Sequence, residues 1–167
     1  MSVSAARLVT ISVTDGQHDT TICNSCFAAL DTILTARSNA FASVIADKRA
    51  VPTNATCPQY HVLVFRTLSK SLGRIRDSAA DNALALAAEC VLSELEEELT
   101  ARSADTALLF PSKWTTSANK YIAIGRFSLN AVRTSTDNAS RAKYLAAAAA
   151  ALVKADRSIT NGNLCPP

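Results

Sequence analysis

"RAKYLAAAAAALVKADRSI", residues 141–159, decides the fold class. Its six consecutive alanines at 146–151 give up no side-chain entropy on entering a helix. Leu145, Ala148, Leu152, Ala155 and Ile159 recur every three or four residues, so a helix gathers them into one stripe. Thr136 or Asp137 can cap its start, and Asn161-Gly162 supplies a stop. An Ala-rich stripe of this kind needs other helices packed closely over it.

The neighbouring segments supply them. Tyr60, Val64, Leu68, Leu72 and Ile75 form a second stripe, with Arg66, Lys70, Arg74 and Arg76 mostly off it. Leu84, Ala88, Val91, Leu95 and Leu99 form a third, which Asp81 is expected to cap. The outer face of that helix carries Glu94, Glu96, Glu97 and Glu98, and Glu98 can reach Arg102 at i,i+4. Nearer the N-terminus, Asp19 or Thr20 can cap a helix in which Cys23, Phe27, Leu30, Leu34, Phe41 and Ile45 keep helical spacing to about residue 48. "KYIAIGRFSLNAVR", 120–133, fits either strand or helix around Gly125, with helix the preferred reading. "RLVTISVT", 7–14, alternates as a short strand before the turn signal Asp15-Gly16. "KRAVPTNATCPQ" and "ADTALLFPSKWTTSA" read as irregular connections, the second holding Trp114. The expected architecture is mainly α: a four- to five-helix bundle in one domain, 1–167, with a short N-terminal strand at about 7–14 and a tail at about 161–167.

Composition agrees. The chain has four glycines and five prolines, aromatics are 5%, and charged residues, at 19%, fall below the roughly 25% of an average domain. A surface this poor in charge is cheap to desolvate and suits a protein covered by neighbours, and it equally fits an ordinary small soluble domain. The net charge of +3 permits an anionic partner without demanding one. The sequence has no 18-residue apolar run, and "MSVSAARLVTISV" has no signal-peptide pattern. Five cysteines, an odd number, argue against a complete disulfide framework. The expectation is a soluble protein, intracellular or part of an assembled particle, whose thiols stay reduced.

Two constellations carry possible chemistry. Cys23 and Cys26 form C-x2-C, and Cys57 and His61 form C-x3-H at a second helix entrance. These four are candidate tetrahedral zinc ligands, and the bland alternative is cysteines packed as small apolar groups. The C-x2-C pair alone also fits a thiol–disulfide protein, with His18 upstream as a base. Arg66, Lys70, Arg74 and Arg76 put four cations within three turns, suited to phosphates or to an acidic protein face, here foremost the Glu94–Glu98 turn. No nucleophile comes with a recognisable base and orienter, and there is no Gly-rich phosphate loop. The sequence therefore reads as a non-enzymatic structural or assembly protein, a subunit of a complex, filament or coat, that contacts itself, other subunits or nucleic acid. A zinc-stabilised nucleic-acid module and a C-x2-C thiol protein are the alternatives, and no other cofactor is indicated.

Overall fold

The computed structural model describes residues 24–51, 57–73, 75–105 and 112–164. A 3-10 turn, Asn24–Phe27, leads into α1 (Ala28–Ala36), followed by α2 (Ala42–Arg49) and α3 (Cys57–Leu72). Three longer helices complete it: α4 (Ser78–Ala104), α5 (Ser112–Thr134) and α6 (Asn138–Leu164). The described residues are mainly helical and contain no strand. The strand expected at 7–14 lies outside them.

Cross-contacts set the topology of α3 to α6. Arg126 meets Glu96 and Arg133 meets Glu89, so α5 runs antiparallel to α4. Gln59 Nε2 donates to Thr160 Oγ1 at 3.2 Å, and the far end of α3 lies beside Leu145, so α3 and α6 are antiparallel too. His61 meets Glu94 and Arg76 meets Asp81, which orders α3 against α4 in the same sense. These four helices form an up-down-up-down bundle, with α5 and α6 in the most extensive contact. The 3-10 turn and α1 cover α4, and α2 covers α3.

The three expected stripes form the core. Leu68, Leu72, Leu84, Leu92, Leu95, Leu129, Leu152 and Ile159 are fully buried, joined from the N-terminal side by Phe27, Leu30 and Phe41. The segment 120–133 is helix throughout. Gly125, at the centre of the strand-like alternation, is buried where α5 meets both neighbours. A Cβ there would stand 3.2 Å from Leu92 Cδ1 and 3.6 Å from the Ala151 Cβ.

Several expectations need correction. The single first helix is two, broken at Arg37–Phe41, where the amides of Ala40 and Phe41 both turn back to the Arg37 carbonyl. Ser38 and Asn39 sit in this break, residue types that favour turns over helix interiors. Asp77, not Asp81, caps α4: its Oδ1 accepts from the Ala80 amide at 2.9 Å, and that bond, with Arg37 beside it, holds its carboxyl below the usual range. Trp114 belongs to a helix, because α5 starts at Ser112, directly after Pro111 in the sequence. Ile75 lies beyond α3 and is exposed. Asn161-Gly162 does not stop α6, which continues to Leu164. Asp137 does cap α6, accepting from the Ser140 amide at 2.8 Å.

Candidate functional site

The structure brings part of the predicted metal set together and adds residues to it. Cys57 and His61 lie one turn apart on α3, as do Cys90 and Glu94 on α4. Where these helices and the 3-10 turn meet, the ligand atoms of Cys26, His61 and Glu94 come within 4.8 Å of one another, all buried. His61 Nδ1 pairs with Glu94 Oε1, its ring meets Phe27 edge to face at 5.5 Å, and its Nε2 is buried without a partner among the described residues. The sulfurs, however, are oxidised. Cys26 is bonded to Cys90, and Cys57 is also disulfide-bonded. Neither Cys26 nor Cys57 offers the thiolate that a zinc ion would take, and Cys26 is not paired with Cys23 as a C-x2-C redox couple. Cys23, like His18, lies outside the described residues. The expectation of free thiols is thereby corrected for Cys26, Cys57 and Cys90. Glu94 is corrected as well: it is a buried partner of His61, not part of a solvated face. What the cluster does is join three elements around one sealed polar pair.

The basic constellation leads to an open site. Among the described residues no ion pair joins the Glu94–Glu98 turn to Arg66, Lys70 or Arg76: Glu96 pairs with Arg126 of α5, and Glu98 with Arg102 on its own helix at 2.7 Å. Hydrogen bonds from Arg126 hold the Glu96 carboxyl below its usual range. Arg66 and Lys70 are exposed one turn apart on α3, with no ion-pair partner among the described residues. Arg74 lies outside those residues. Arg76 turns inward to Asp81.

Arg66, Lys70 and Arg76 line one cavity of about 340 Å³ between α3 and α6. Leu72, Leu145, Ala146 and Ala149 give it an apolar lining. The alanine run thus has two roles: its inward members let the helices pack closely, and its outward members leave room beside α3. Asp81 closes the cavity wall and is fully buried. Its Oδ2 accepts from Arg76 Nη2 and from Arg141 Nε, each at 2.9 Å. Arg141 in turn donates to the Asn138 side chain. Two guanidiniums on one carboxylate leave this wall with a net positive charge, and Arg66 and Lys70 add two more at the rim.

Sequence reasoning found the cations but not Asp81 or Arg141. The one available signal was an Arg inside the apolar stripe of α6, three residues after the Asn138 that opens the helix. Among the described residues no helix is long and apolar enough to cross a membrane. Compared with known proteins, the chain matches no family model, no curated protein and no solved structure.

Proposed function

We propose that this chain is a non-enzymatic binding protein that holds a small anion with an apolar body in the cavity between α3 and α6. The carrying observation is the pairing of two exposed cations, Arg66 and Lys70, with an apolar cavity of about 340 Å³. That volume lies within the roughly 300–1,000 Å³ of small-molecule sites. A carboxylate or phosphate head at the rim meets positive charge, and an apolar chain laid on Leu145, Ala146 and Ala149 leaves water. A nucleic-acid backbone would use the rim but has no apolar body to fill the space behind it, so the cavity favours the amphiphile. The sealing of His61 and the oxidation of Cys26, Cys57 and Cys90 support a binding role over a catalytic one. The same disulfides support an oxidising setting for the protein.

Calorimetric titration with decanoate, kept below its micelle concentration, tests this reading. One site per chain is expected. R66Q/K70Q, changed only at exposed positions, should bind about tenfold more weakly or worse. A146W should fill the cavity and abolish binding. Absence of binding, or binding indifferent to A146W, contradicts the reading.

A second reading, a structural or assembly subunit, has its own observation. On α5, Phe127 is 72% exposed and Ile124, three residues earlier, 40%, although the opposite face of that helix is buried in the bundle. A second copy of the chain laid against α5 would cover both.

A further inference from the structure

Two residues that line the α3–α6 cavity each hold a buried polar atom without a partner among the described residues. Asp81 Oδ1 and Arg76 Nε are both buried and make no hydrogen bond among the described residues. They belong to one ion pair, joined through Asp81 Oδ2 and Arg76 Nη2 at 2.9 Å, and both residues line the cavity. A buried acceptor and a buried donor left unmatched weigh against the folded state, and any group that satisfies both is correspondingly favoured.

The chemistry of that group is narrow. A carboxylate accepts from Nε–H but meets Asp81 Oδ1 with like charge. An ammonium donates to Oδ1 but opposes Nε–H. A hydroxyl does both, accepting from Arg76 Nε–H and donating its own proton to Asp81 Oδ1. We propose that the cavity selects a hydroxylated amphiphilic anion, its anionic head at Arg66 and Lys70 and its hydroxyl bridging Arg76 and Asp81. This rests on the anion-binding reading above and adds the polar group that the ligand must carry. Asp81 and Arg76 then determine specificity, because a site built to hydrogen-bond a hydroxyl discriminates against the analogue that lacks it.

The test first compares decanoate with 2-, 3- and 10-hydroxydecanoate on the unaltered protein, a step for which no variant has to fold. At least one hydroxydecanoate should bind about tenfold more tightly than decanoate, the worth of one buried hydrogen-bonded group. In R76K, which keeps the positive charge and removes Nε, that preference should shrink to near parity while decanoate still binds. If all four bind equally, a water bridges the pair and the inference is overturned, with the anion-binding reading intact. If a hydroxydecanoate keeps its full advantage in R76K, the hydroxyl does not sit at Arg76, and the inference again fails. If none of the four binds, the anion-binding reading falls and the inference falls with it.

Discussion

Cys26 and Cys90, 64 positions apart in the sequence, are joined Sγ to Sγ with their Cα atoms 5.4 Å apart. The bond fixes the 3-10 turn before α1 to the middle of α4, and so fastens the N-terminal elements to the bundle. Closing a loop of this length removes much of the freedom of the unfolded chain. C26A/C90A should therefore lose about 2–4 kcal/mol in urea unfolding. Adding reductant to the unaltered protein should bring its unfolding midpoint down to that of the variant or below it, because the disulfide of Cys57 is opened as well. A variant as stable as the parent would show that the link does not brace the fold.

His61 and Glu94 form a pair that the bundle seals from water. Removing the imidazole alone takes away a partner of a buried carboxylate, so H61A should cost about 3 kcal/mol or more. Replacing both groups with apolar ones removes the buried charge as well, and H61L/E94L should be more stable than H61A. If the double variant is the weaker of the two, the contact between the two side chains itself stabilises the fold.

Asp156 makes stability depend on pH. Burial pushes its carboxyl up to about 6, and the Glu98 carboxylate adds to the rise against the opposing effects of Arg102 and Arg157. The folded chain therefore holds this proton more tightly than the unfolded chain. The resulting stabilisation is complete below about pH 4 and is lost as pH rises through about 6. Because the group is only half-buried, the effect is on the order of 1 kcal/mol. D156N should be more stable than the parent at pH 7.5, and the gap should close or reverse near pH 4. Stability curves that stay parallel from pH 4 to 8 would contradict this.

Phe127 tests the assembly reading. Sedimentation at high protein concentration should show species larger than 17.6 kDa, and F127D should return them to monomer without a loss of helix. Because the side chain is 72% exposed, the change should leave the bundle's own stability nearly untouched. A parent protein that stays monomeric at all concentrations removes this reading.

Much of the fold was legible because helical stripes report directly on burial. Leu84, Ala88, Val91, Leu95 and Leu99 are all buried on α4, as are Leu145, Ala148, Leu152, Ala155 and Ile159 on α6. Helix ends were less legible, because Asp77 and Asp81 are the same residue type four positions apart. Only the surrounding segments of the fold make one a cap and the other the centre of a buried ion cluster. Gly125 left 120–133 open between strand and helix, and the preferred helix is what forms; the glycine's reason is seen only once Leu92 and Ala151 stand against it. For the site, spacing found Cys26 and His61 but could not show that Cys26 joins Cys90. That partner comes from a helix 64 residues on, and no short-range spacing points to it. The cations at 66, 70 and 76 were visible as a charged face, whereas the cavity behind them depends on where the small side chains of α6 come to rest.

The central claim is that a small amphiphilic anion binds between α3 and α6, and amide chemical shifts test it most directly. Titrating labelled protein with decanoate should move the amides of Lys70, Gly73, Ala142, Leu145, Ala146 and Ala149 together, saturably, and leave those around Phe127 in place. Shifts absent at saturating decanoate, or clustered on α5 and absent from α3 and α6, would contradict the account.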